Sequence, residues 1–129
     1  FDYGNNTNAG TDVLVTFVAG ASNDVYAIDA SLGSIVGDLT AGNTLSLATA
    51  ADVQAHAAGV VADTVMVDTI ASIIATVDGT QGLVQYAVDS ATGDLYYDAN
   101  GDWSAGSVHL SDVTTLTGSF VAGNFSIVA

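Results

Sequence analysis

The chain has 129 residues, enough for one domain with a real core and too few for two. Half of its residues are apolar, which argues against disorder, but the charge is extreme: 14 acidic residues, all Asp, and no Lys, Arg or Glu. With no cationic side chain to neutralise phosphate, nucleic-acid binding is excluded, as is attraction to anionic lipid headgroups.

The same imbalance makes self-repulsion at neutral pH a physical problem, and divalent cations are its natural relief. Asp suits such a role, because its short side chain fits turns and tight oxygen cages. Cysteine is absent, so there is neither a disulfide framework nor thiol chemistry. No apolar run approaches the roughly 18 residues of a membrane span, so no membrane insertion is expected. The opening FDYGNNTNAG lacks the regions of a signal peptide and a starting Met, and the chain is read as processed or as a piece of something longer.

In chain order, residues 1–10 are Gly/Asn-rich and read as a flexible arm. Thr11–Val18 is a strong strand with apolar residues on both faces, placed either centrally in a sheet or against another molecule. Val25–Ala30 is a second strand, with Tyr26 and Ile28 on one face. Gly33–Leu39 holds a short strand around Ile35 and Val36, and Thr44–Leu47 another after a turn at Gly42-Asn43. Ala51–Ala58 has helical composition, with Thr49 as its cap and Gly59 as its end. Ile70, Ile73, Ile74 and Val77 fall at i, i+3, i+4 and i+7, the stripe of an amphipathic helix; Asp68 stands at its N-cap, and Met66 extends its face if it starts nearer Asp63.

Residues 83–112 carry most of the information. Val84, Tyr86 and Val88 alternate onto one face, Leu95 and Tyr97 do likewise, and the turn-formers of 89–94 join them into a hairpin. Ser107–Leu110 is a returning third strand, Leu116-Thr117-Gly118 a turn, and Phe125–Val128 the closing strand. The predicted fold class is mainly β with one or two short helices, an antiparallel β-sandwich or roll with a helix packed on it.

Between the second and third of those strands lies Asp98-Ala99-Asn100-Gly101-Asp102, the opening D-x-[DN]-x-[DN] of a calcium loop. Trp103 stands where that motif has Gly, and His109 where it has the bidentate Glu, so a standard EF-hand is ruled out. A looser loop remains, with Asp94 or Asp89 contributing across the hairpin; Asp94, Asp98, Asn100 and Asp102 are its candidate ligands. Calcium bound there would have a Kd of ~10⁻⁴–10⁻³ M, as extracellular modules do. The plain alternative is an Asx-rich turn holding no ion. His56 and His109 are too scattered for zinc, which needs three or four close ligands. Trp103, Tyr96 and Tyr97 fit a core or an interface better than a sugar platform. No G-x-S-x-G elbow is present, and no Glu, Cys, Lys or Arg stands ready for acid/base, nucleophilic or oxyanion roles, so a catalytic function is not expected.

The stretches DTIASIIATVDG, GDLYYDANGDWSAG, SVHLSDVTTLTG and NFSIVA, within residues 51–129, resemble the C-terminal region of RTX-type bacterial proteins exported by type I secretion. Phe125, Ile127 and Val128 match the short apolar motif that ends such chains. The glycine-rich nonapeptide G-G-x-G-x-D-x-U-x is missing, so a β-roll of stacked ions is not implied. The resemblance implies secretion without a cleaved N-terminal signal, calcium-rich surroundings, and a place in surface layers, adhesins or matrix, or as the tail of a secreted enzyme.

Together these readings predict an extracellular or cell-surface structural subunit that forms a homopolymer, a filament or surface layer. Its Thr11–Val18 strand would pair with a neighbour, and divalent cations would bridge the acidic surfaces. The competing expectation is a C-terminal calcium-binding and export module of a larger secreted enzyme or adhesin.

Overall fold

In the computed structural model, which describes residues 2–3, 12–30 and 38–128, strands outnumber helices along the chain. The order is β1 (Asp2–Tyr3), β2 (Asp12–Val18), β3 (Tyr26–Asp29), β4 (Ser46–Ala48), α1 (Ala50–Ala55), β5 (Gly59–Val60), β6 (Thr64–Asp68) and α2 (Ile70–Thr76). There follow β7 (Gly82–Leu83), β8 (Tyr86–Asp89), β9 (Leu95–Tyr97), β10 (Val108–His109), β11 (Ser111–Thr117) and β12 (Phe125–Val128). The protein is mainly β with two short helices.

A five-stranded sheet, ordered β10-β9-β8-β6-β4, divides the core. Alternation along its strands sends Met66 and Ala87 to one face and Val65, Tyr86, Val88, Leu95 and Tyr97 to the other. The helices cover the first face, where Ala50 and Val53 of α1 and Ile73 of α2 pack with Val77 and Trp103. Both helices start on side-chain caps. Thr49 accepts from Asp52 N while Asp52 reaches back to Thr49 N, and Thr69 accepts from Ser72 N. At Gly82 a Cβ would lie 2.6 Å from the Val53 carbonyl, so only glycine lets β7 pass beneath α1.

The opposite face packs on a second β layer: Tyr26 and Ile28 of β3, Phe125 and Ile127 of β12, and Phe17 of β2. Buried hydrogen bonds tie the layers. Tyr26 Oη donates to the Gly93 carbonyl at 2.8 Å, and Ser111 Oγ, 3.0 Å from that hydroxyl, accepts from Leu95 N. β2 lies parallel to β11 in a two-stranded sheet, with Leu116 opposite Phe17. Ahead of β12 a 3-10 turn, Ala122–Asn124, holds Asn124 at 0 % exposure. Its Oδ1 accepts from Gly20 N and Val121 N, and its Nδ2 donates to the carbonyls of Gly20 and Asp24.

Several sequence expectations need correction. The antiparallel arrangement holds only for β8–β9 and β9–β10; the other six of the eight pairings among the described residues are parallel. Both helices sit in crossovers, β4-α1-β6 and β6-α2-β8, which return each strand in the same direction as the last. Met66 belongs to strand β6, not to a longer α2, and Ile74 is exposed because α2 is only two turns long and turns Ile73 inward. Val84 packs on the helix face, away from Tyr86 and Val88, because the ladder is irregular at Gln85. Thr69 is the N-cap of α2, while Asp68 Oδ1 accepts from Thr69 N beside it. α1 stops at Ala55, short of the expected Ala58. Leu116 and Thr117 continue β11, and Gly118 makes the turn alone at φ +83°. The predicted arm (1 and 4–10) and most of the strand at 33–39 lie outside the described residues, and Tyr3 of the arm is in β1.

Candidate functional site

The acidic stretch folds as the hairpin requires. Tyr86 stands opposite Tyr97 and Val88 opposite Leu95, with Gly93 N donating to the Asp89 carbonyl in the turn. The loop beyond β9 is a run of Asx turns. Asp98 Oδ1 accepts from Asn100 N (3.1 Å) and Gly101 N (3.0 Å), and Asn100 Oδ1 accepts from Asp102 N (2.9 Å). Asp102 Oδ1 in turn accepts from the Ser104 amide and hydroxyl. Trp103 anchors the loop: its Nε1 donates to the Val84 carbonyl and its backbone N to that of Val77. The oxygens expected to gather round an ion are thus largely spent on the loop's own peptides.

Asp94 does not join them. Its Oδ1 accepts from Val113 N at 2.6 Å, and its Oδ2 lies 3.1 Å from Nε2 of His109. The His109 ring stacks on Tyr96 at 4.6 Å, half-buried between an exposed Val108 and a buried Leu110. His56 is exposed beyond α1, with Nδ1 2.9 Å from the Ala57 carbonyl. Among the described residues no three His, Cys, Asp or Glu side chains gather as a metal centre.

One oxygen of the loop is left over. Asp98 Oδ2 is buried and has no hydrogen-bond partner, and the same holds for Asp38 Oδ1 and the Tyr86 hydroxyl. All three belong to side chains at one end of the β8–β9 ladder. Asp38 Oδ2 accepts from Gln85 N at 3.2 Å, and the Gln85 carbonyl accepts from Asp98 N at 2.8 Å. The Asp38 carboxylate therefore occupies the place where the main chain of Asp98 would complete an antiparallel rung. Tyr86 is the next residue, its ring 5.1 Å from that of Tyr97.

Electrostatics follow from this burial. Desolvation pushes the Asp38 carboxyl from 3.8 up to about 7, against the pull of the Gln85 amide, and the nearby Asp63 charge adds to the rise. Burial raises Asp98 as well, opposed by the Asn100 and Gly101 amides. Burial, Tyr97 and then the charges of Asp29 and Asp38 raise the Tyr86 hydroxyl. Burial and the charges of Asp98 and Asp38 raise that of Tyr97. Sequence reasoning missed Asp38 and the polar role of Tyr86, since nothing local marks a carboxylate that a distant strand will bury.

A separate groove of about 320 Å³ runs between the loop at Gly42–Leu45 and the outer edge of β12. Its lining holds no titratable side chain, only the hydroxyls of Thr44 and Ser126 and the amide of Asn43 among polar groups. Among the described residues, no helix is long and apolar enough to cross a membrane. Compared with models of protein families, with curated proteins and with solved structures, the chain matches none of them.

Proposed function

We propose that the chain is an extracellular structural subunit that assembles by strand pairing, with divalent cations between its acidic surfaces. The observation that carries this reading is the outer edge of β2. Ala19 N donates to the Thr117 carbonyl, so the peptide groups of Val13, Val15 and Phe17 face β11 within the chain. Alternation turns those of Asp12, Leu14, Thr16 and Val18 outward. Asp24 caps Val18, whose N donates to Asp24 Oδ2 and whose carbonyl accepts from Asp24 N. Among the described residues no further strand pairs with β2, and Val13 on it is 68 % exposed. No Lys or Pro stands on this strand to discourage addition of another. A neighbour would therefore use the outer edge alone, since β11 fills the inner one.

The experiment is electron microscopy of the native material with and without a calcium chelator, and of Thr16→Pro. Proline at an outward-facing position removes an unpaired donor and blocks a new strand while leaving the β2–β11 bonds in place. Polymers that vanish in Thr16→Pro, with an unchanged circular dichroism spectrum, support strand pairing. Polymers that persist sink it, and polymers indifferent to the chelator remove the ionic part.

A second reading is the calcium-binding or export module at the end of a larger secreted enzyme or adhesin. It is favoured by residues 46–109 forming the whole five-stranded sheet and both helices, much of it within the RTX-like segment. A gene product with a catalytic domain upstream would select it.

A further inference from the structure

The groove between the Gly42–Leu45 loop and β12 is lined without a titratable side chain. In a chain of net charge −14, a second copy meets little repulsion there. One wall of it is a sheet edge: β12 pairs with β3, and among the described residues no strand pairs with its other side. Gly42 N donates to the Ile127 carbonyl at 3.2 Å, so the peptide groups of Ile127 face the groove. Alternation turns the Phe125 carbonyl the same way, while Phe125 N donates to the Ala122 carbonyl of the 3-10 turn. The groove also holds a glycine that the fold of the single chain does not call for. Gly123 lies outside the left-handed region, and a Cβ built on it would meet nothing within 4 Å. Gly42 on the facing wall is equally bare, but its φ of +82° already accounts for it. A glycine that neither strain nor internal packing explains marks a place where another backbone can pass closely.

We propose that this groove receives strand β2 of a second copy, laid along the outer edge of β12. The inference rests on the strand pairing proposed above and names the surface that β2 meets. Residues 13–18 of β2 are all uncharged, so strand and groove match in the one property that this chain rarely offers over such a length. β2 keeps its inner edge on β11, so it brings only its outer edge to a partner and cannot turn back into the groove of its own chain. The β1-β3-β12 sheet of one copy and the β2–β11 sheet of the next would then run on as a single sheet. Because β2 and β12 are different surfaces, the contact is heterologous. Each copy offers a strand to one neighbour and a groove to another, which gives a filament or a ring and not a two-fold dimer.

The test uses the full chain. It has no cysteine, so Val13→Cys on β2 and Ser126→Cys on β12 each introduce a single thiol, both at exposed positions. The two variants are mixed in equal amounts and treated with a short bis-maleimide, and the cross-linked dimers are told apart by mass. Mixed dimers in severalfold excess over like-with-like dimers are expected and support the groove. Like-with-like dimers in excess, or no cross-link at all, overturn it. Gly123→Val gives a second readout, since its side chain projects into the groove and not into the chain's own packing. Its melting temperature is expected to match that of the wild type and its polymers to be lost in the electron microscope. Wild-type polymers in Gly123→Val overturn the proposal, and the cross-link decides should this variant fail to fold. Thr16→Pro separates this inference from the reading beneath it. If Thr16→Pro abolishes polymers while the cross-link fails, β2 pairs with another surface and strand addition stands. If polymers survive Thr16→Pro, both fall.

Discussion

Asp38 shows how far one buried carboxyl shapes the chemistry of a chain without Lys or Arg. Its folded pKa, pushed up by burial to about 7, lies above the 3.8 of the unfolded chain. The folded form therefore holds a proton that the unfolded form gives up. The associated stability is full below pH 3.8 and is lost as pH rises through 7, a swing on the order of 4 kcal/mol. In chelator, urea midpoints are expected to rise as pH falls from 8 towards 5. Asp38→Asn should flatten that slope and be the more stable protein at pH 8. A wild-type midpoint constant between pH 5 and 8 contradicts this account of Asp38. Asp78 works in the opposite sense: hydrogen bonds from Thr80 and Gln54 hold its carboxyl down at about 2, so its effect appears only as pH falls below 4.

At the scale of elements, capping and turn chemistry carry more than propensity. Both helices are under three turns, too short to persist alone, and rely on Thr49 and Thr69 at their starts and on Val53, Ile73 and Val77 beneath. Thr49 was visible in the sequence because Ser, Thr, Asp and Asn before an apolar run are start signals. Asn124 was not. The triplet Ala122-Gly123-Asn124 reads as an ordinary turn before a strand, yet the Asn side chain closes four hydrogen bonds, three to the β2–β3 connection and one to Val121 of its own turn. Asn124→Ala leaves those main-chain groups buried without partners, and is expected to cost about 3 kcal/mol in chemical denaturation. A loss under about 0.5 kcal/mol would show that solvent replaces the amide at no penalty. The hairpin was the most legible element of all, because alternation and turn residues agree over residues 86–97.

For the whole molecule, a net charge of −14 with no counter-charge sets the conditions of folding. Raising NaCl from about 10 mM to about 1 M shortens the Debye length from roughly 30 to 3 Å. In chelator, the melting temperature should therefore climb by ~5 °C or more, through relief of self-repulsion. A melting temperature that falls with salt would mean that specific ion contacts outweigh general repulsion.

Composition and local pattern by themselves determined the mainly β class, the hairpin and the Thr49 cap of α1. Each of these depends on neighbours within about ten residues or on a simple count. Only the tertiary structure decided that most strands run parallel, that β11 takes the inner edge of β2, and that Asp38 is buried against Gln85 while Asn100 and Asp102 turn on their own loop. Those outcomes join segments tens of residues apart in the chain. Parallel pairing and the burial of a lone carboxylate are settled by which distant surfaces meet, and no local periodicity records that.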